Sequence, residues 1–217
     1  MKERIKRGLE SFQRHTYKEF ETLYQKLETQ QHPDTLFIGC SDSRVSPERL
    51  LNAAPGDIFV LRNIANSVPS IHAEVYDTTT LSGIEYAVLV LNVKTIIVCG
   101  HSNCGGCAAA LSGKQGLSEL PYTQHYLQPL EGLCEEVEAC AADEPYKGKA
   151  KLMEELNVLE QLKHLKEYDF INERIADGRL ELEGWRYDIG SGKVERYDNT
   201  DEQFQPIIAS EKNRKVQ

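Results

Sequence analysis

The sequence predicts an α/β fold: a mostly parallel sheet of four strands with an additional strand at the edge, flanked by helices. Three observations carry that expectation. The apolar runs "TLFIGC" (35–40), "GDIFVLRN" (56–63) and "KTIIVCG" (94–100) lack the polar alternation of half-exposed strands. Helical patterns separate these runs, as in parallel sheets covered on both faces. The stretch "RLELEGWRYDIGSGKVERYD" (179–198) reads as two further strands joined through "GSG", a hairpin signal.

Each element has its own signal. Ile5, Leu9, Phe12, Phe20, Leu23 and Leu27 recur at mostly three- and four-residue intervals among charges, so residues 5–29 are expected to form one amphipathic helix. After the first strand, Ser46 and Pro47 are suited to the cap and first position of a helical turn. "TTLSGIEYAVLVLN" (79–92) reads as a helix and "GGCAAALSG" (105–113) as the start of another, closely packed one. The acidic segment 131–144 and the pattern 151–177 are expected to be surface helices, the second closed by Gly178. No repeat, low-complexity tract or linker interrupts the 217 residues, so a single domain over 1–217 with a helical N-terminal arm (about 1–30) is expected.

Composition narrows the function. An excess of 34 acidic over 25 basic residues gives a net charge of −9, which repels nucleic-acid backbones and anionic membrane surfaces. No apolar run approaches the roughly 18 residues that argue for a membrane span, and "MKERIKRGLE" lacks the apolar stretch of a secretion signal. A cytoplasmic protein without nucleic-acid or membrane partners is expected. In that compartment Cys40, Cys99, Cys104, Cys107, Cys134 and Cys140 are thiols or metal ligands rather than disulfides. Most read as small buried hydrophobes, Cys99 and Cys107 among them. His15, His32, His72, His125 and His164 read mainly as surface residues, and Trp185 as a packing anchor.

The chemistry gathers where strands end, which is where open parallel sheets place their sites. Cys40 closes the first run, and "GHSNCGG" (100–106) follows the third, placing His101 and Cys104 three residues apart. Two thiolates and an imidazole suit zinc. The fourth position has two candidates. Cys107 would close a structural Cys3His site, although the glycines at 105 and 106 argue for a tightly packed helix start. Asp42 would either bind the metal in a closed state or pair with the fork of Arg44, leaving the site open. A structural site would have no need of the arginine.

"CSDSR" (40–44) followed by "GHSNCGG" resembles the β-class carbonic anhydrases, whose motifs are Cys-x-Asp-x-Arg and His-x-x-Cys. The resemblance extends through "PGDIFVLRNIAN" (55–66), "IEYAVLVLNVKTIIVCGH" (84–101) and "GWRYDIGSGKV" (184–194). It implies a β-carbonic-anhydrase-like fold and reversible hydration of CO2 to bicarbonate through zinc-bound hydroxide. In carbonic anhydrases of the three-histidine type zinc lowers the pKa of its bound water to about 7, which supplies hydroxide at neutral pH. By the same resemblance Cys40, His101 and Cys104 bind Zn2+, and Asp42 and Arg44 form a catalytic dyad. Gln31 and the backbone amide of Gly105 hold substrate oxygen, while Phe59, Ile64 and Tyr86 line an apolar pocket at a dimer interface. A homodimer or homotetramer embraced by the N-terminal helix is implied. Some bacterial members carry a Trp–Arg–Tyr bicarbonate pocket; Arg62 and Tyr86 are read as retained, with Phe37 in place of the tryptophan. Rival readings are hydrolysis of COS or CS2 on the same fold and a non-catalytic zinc protein.

Overall fold

The computed structural model describes residues 2–73 and 77–207; the expected single domain also takes in residues 1, 74–76 and 208–217, which lie outside them. A six-stranded sheet runs in the order β2-β1-β3-β4-β5-β6. Strands β1 (Thr35–Cys40), β2 (Ile58–Asn63), β3 (Thr95–His101) and β4 (Glu181–Tyr187) are parallel. Strands β5 (Val194–Asp198) and β6 (Gln203–Pro206) continue the edge antiparallel. The four-stranded parallel sheet is as expected, and it gains two edge strands rather than one. "QFQP" escapes a sequence reading because Phe204 is its lone large apolar side chain and a proline ends it.

The N-terminal segment is helical but broken. Helix α1 (Lys2–Ser11) passes through a widened turn at Phe12–Thr16 into α2 (Tyr17–Glu19), and the chain kinks at Phe20 before α3 (Glu21–Leu27). The amide of Tyr17 donates to the carbonyl of Phe12, five residues back. That widening brings the Phe12 and Tyr17 rings to 6.2 Å, and Tyr17 stacks on Tyr24 at 5.3 Å. Periodicity does not report a one-residue widening, hence the expected unbroken helix.

Helix α4 (Pro47–Leu50) follows β1, with Pro47 at its first turn. Helix α5 (Thr78–Glu85) is capped by Asp77, whose carboxylate accepts from the Thr80 amide, and extends through a second widened turn, Tyr86–Val90. Helices α6 (Gly105–Leu111), α7 (Gly113–Gly116), α8 (Pro121–Leu127) and α9 (Glu131–Cys140) follow β3. The expected helix at 151–177 begins earlier and divides into α10 (Tyr146–Lys166) and α11 (Asp169–Ala176). The corner between them lets Leu165 and Ile171 enter the same core, after which Gly178 turns the chain at φ +68°.

The central parallel strands, β1 and β3, are buried on both faces. On one face Leu36, Ile38, Ile96 and Val98 meet Ile84 of α5, Val158 of α10 and Ile171 of α11. On the other, Phe37, Ile97 and Cys99 pack with Leu50, Leu51, Val60, Trp185 and Tyr187. Close approach of α10 depends on two glycines. A Cβ at Gly100 would stand 2.8 Å from Val158 Cγ2, and one at Gly184 would stand 2.9 Å from both Val158 and Leu162. Among the described residues, no helix is long and apolar enough to cross a membrane.

Candidate metal centre

Three strand or helix ends converge at one edge of the sheet. Cys40 is the last residue of β1 and His101 the last of β3, its parallel neighbour. Asn103, at φ +54°, turns the chain so that Cys104 stands at the N-terminus of α6. Asparagine tolerates this left-handed geometry better than most residues. The ligand atoms of Cys40, His101 and Cys104 lie within 4.8 Å of one another, and all three residues are buried. The two sulfurs are 3.9 Å apart.

The donor atoms fit a soft cation. His101 Nδ1 lies 3.0 Å from the Ser102 carbonyl, which can only accept, so Nδ1 carries the proton and Nε2 presents its lone pair. That Nε2 is buried without a hydrogen-bond partner. Hydrogen bonding to Cys104 and burial push the Cys40 thiol up to about 12. Hydrogen bonding to Cys107 similarly places Cys104 at about 12. Crowded donors that ionise so reluctantly on their own need a compensating positive charge, and zinc with N/S ligands answers that need.

Asp42 sits beside the cluster, locked by an arginine. Arg44 donates from its backbone amide and Nε to Asp42 Oδ1, both at 2.9 Å, and from Nη2 to Oδ2 at 2.7 Å. These bonds hold the Asp42 carboxyl well below the usual carboxylate range. Arg44 Nη2 also reaches the Asn103 carbonyl, tying the two motifs together. Arg62 holds the intervening turn through the carbonyls of Cys40 and Asp42. Asp42 Oδ2 is 4.0 Å from His101 Nε2, so the carboxylate faces the cluster while both of its oxygens are engaged by Arg44. Cys107 lies outside the three-donor group and accepts from Asn157 Nδ2 at 3.8 Å.

The residues assigned to substrate are more dispersed. Gln31 and Gly105 are exposed, and no heavy atom lies within 4 Å of a Cβ placed at Gly105. Ile64 approaches the start of α6, since a Cβ at Gly106 would stand 3.0 Å from its Cγ2. The rings of Phe59 and Tyr86 are 6.1 Å apart, but Phe59 pairs with Leu36, four residues before Cys40. Within one chain they do not reach the cluster.

Two sequence assignments need correction. Tyr86 does not share a site with Phe37 and Arg62. Strand alternation puts Phe37 and Arg62 on one sheet face, whereas Tyr86 packs on Phe59, which points to the other. The tyrosine on the Phe37 face is Tyr187. His164 is buried, not superficial, and its Nδ1 lies 2.7 Å from the Val68 carbonyl.

Sequence reading also missed a polar stripe on α10. Glu154, Asn157, Gln161 and His164 recur at intervals of three, four and three and are all buried. Their spacing was the available signal, but a stripe of polar residues ordinarily marks a solvated helix face. Here Glu154 reaches the Cys104 amide and Arg186, while Asn157 and Gln161 hold the loop at Ala65 and Val68.

Comparison with known proteins agrees with this geometry. A family model described as "Carbonic anhydrase" matches residues 35–194. A carbonic anhydrase of Helicobacter pylori (strain J99) is 36% identical over 210 residues, covering 95% of each chain. The structure of the β-carbonic anhydrase CcaA superposes with a TM-score of 0.90 at 33% identity, over 94% of this chain and 98% of that one. A tetrameric β-carbonic anhydrase of Sordaria macrospora superposes with a TM-score of 0.76 at 34% identity, over 89% and 95%. With the donor cluster, the sheet order and these likenesses in agreement, the chain belongs to the β class of the carbonic anhydrase family.

Proposed function

We propose that this chain hydrates CO2 reversibly to bicarbonate and a proton, with Cys40, His101 and Cys104 holding Zn2+ and Asp42 and Arg44 serving as the catalytic dyad. The observation that carries this reading is the buried three-donor cluster beside an aspartate whose two oxygens are held by Arg44. Zinc in such a site supplies the Lewis acidity that makes water a nucleophile near neutral pH, a principle for which carbonic anhydrases are the standard example.

The protein's own residues do the rest. Two thiolates and a neutral imidazole balance the metal charge, and the Ser102 carbonyl fixes the His101 tautomer. Arg44 keeps Asp42 ionised and engages both of its oxygens, so its carboxylate, facing the cluster, is an acceptor that orients a donor there. The Gly105 amide opens α6, where amides lack intrahelical partners, and is suited to an anionic oxygen. Exposed Tyr86 and Ile64, with Phe59, form apolar walls suited to an uncharged linear substrate; Gln31 adds a polar donor. Because Phe59 and Tyr86 lie away from the cluster of their own chain, they serve it from a second copy. A homodimer or tetramer follows, and thiolate ligation suits the reducing cytoplasm.

Stopped-flow CO2 hydration on protein of measured zinc content tests the reading. Activity lost in Cys104→Ser, together with zinc, and in Asp42→Ala supports it. Zinc-replete protein that fails to hydrate CO2 even at alkaline pH sinks it.

A further inference from the structure

We propose that Glu154, held by Arg186, is a positioning residue that fixes the backbone of Cys104 and thereby sets the affinity and geometry of the metal cluster. The inference rests on the reading of Cys40, His101 and Cys104 as zinc ligands. Glu154 lies on α10, 50 residues from Cys104 in sequence, yet its Oε1 accepts the Cys104 amide at 3.4 Å. Its Oε2 takes both Nε and Nη2 of Arg186, at 3.0 and 2.8 Å. Arg186 Nη1 extends the network to Glu195 at 3.3 Å. The Glu154 and Arg186 side chains are only 3% and 8% exposed.

Burying such a pair has a cost. Desolvation of two charges offsets much of their attraction, and well-packed apolar residues are often as stable or more so. Stability therefore does not account for the pair, while its placement does. Arg186 neutralises the buried carboxylate and leaves it as a fixed acceptor for the Cys104 amide on a 21-residue helix. Gly100 and Gly184 let that helix lie close to β3 and β4, the strands that end in His101 and carry Arg186. The network thus links one ligand's backbone to the strand beside another's. Outer partners of this kind typically change metal affinity by about 10- to 100-fold when removed.

Two double variants separate positioning from folding. Glu154→Met/Arg186→Met removes the acceptor without stranding a buried charge; Glu154→Gln/Arg186→Met keeps an acceptor for the Cys104 amide. Zinc affinity is measured by chelator competition, and cobalt-substituted protein is examined for its sulfur-to-metal charge-transfer band. The Met/Met protein should bind zinc about 10- to 100-fold more weakly with an altered cobalt band, and the Gln/Met protein should recover both. Wild-type zinc affinity and cobalt spectrum in Met/Met, or equal loss in both variants, would overturn the proposal. Amide exchange in metal-free wild type supplies a test that needs no variant: a protected Cys104 amide supports positioning, and loop-like exchange refutes it. If Cys104→Ser binds zinc as tightly as wild type, it is the ligand assignment that fails.

Discussion

Arg44 shows how much one side chain decides at the site. Its guanidinium engages both oxygens of Asp42 and also the Asn103 carbonyl, a planar, forked arrangement that an ammonium group does not reproduce. Arg44→Lys should leave zinc content near that of the wild type but lower CO2 hydration by about 10- to 100-fold, as outer-shell losses do. Metal analysis beside stopped-flow rates checks this. Equal loss of zinc and activity would show that Arg44 maintains the metal site rather than Asp42. Asp42, Arg44, Cys40, His101 and Cys104 were legible in the sequence because the first pair and the first cysteine lie within five residues, and the other two lie three apart. Glu154 was not legible, since its partner is 50 residues away.

Glu167 makes a comparable point just after α10. Burial raises its pKa, but hydrogen bonds from the Ser70 hydroxyl and the Ile71 amide and nearby His164 and His72 outweigh this, leaving the carboxyl below its ordinary 4.5. A depressed carboxylate stabilises the fold above its unfolded-state pKa and loses that contribution as pH falls through the lower folded value. Glu167→Gln should therefore be less stable than wild type at pH 7, with the difference shrinking as both are titrated below 4.5. Urea denaturation across pH measures it; a difference that persists unchanged in acid contradicts the linkage.

At the scale of elements, the packing of α10 on the sheet is the sensitive join. Gly100→Ala would place its Cβ 2.8 Å from Val158 Cγ2 and 3.4 Å from the Glu154 carbonyl oxygen. Overpacking of this kind costs about 1–3 kcal/mol, and here it also pushes on the helix that carries Glu154. Denaturant midpoints should fall accordingly; an unchanged midpoint would mean that the helix has room to move. Strand and helix types were readable because each depends on a short-range period. The widened turn at Phe12–Thr16 and the corner between α10 and α11 were not, because aromatic stacking in one and a shared core in the other decide them.

For the whole molecule, helix α1 is the part of the N-terminal arm left exposed along its length, whereas Leu27 of α3 lies against the turn at Gly56. None of the residues of α1 or α3 is buried, and Ile5 and Leu9 remain 65% and 57% exposed. If Phe59 and Tyr86 serve the cluster of a second copy, as proposed above, deleting residues 2–27 should shift sedimentation from oligomer to monomer and reduce activity. An oligomer that survives the deletion with full activity would place the interface elsewhere.

By itself the sequence determined the donor set and its chemistry. Sulfur, imidazole and carboxylate at strand ends are local facts, and parallel strands carry their final residues to a common edge. Tertiary structure alone decided which face Tyr86 joins, that Asp42 is engaged by Arg44, and that the polar stripe of α10 is buried rather than solvated. The reason is physical. Periodicity tells which side chains of one segment point together, but the partner that satisfies them comes from a distant segment whose register only the packed sheet sets.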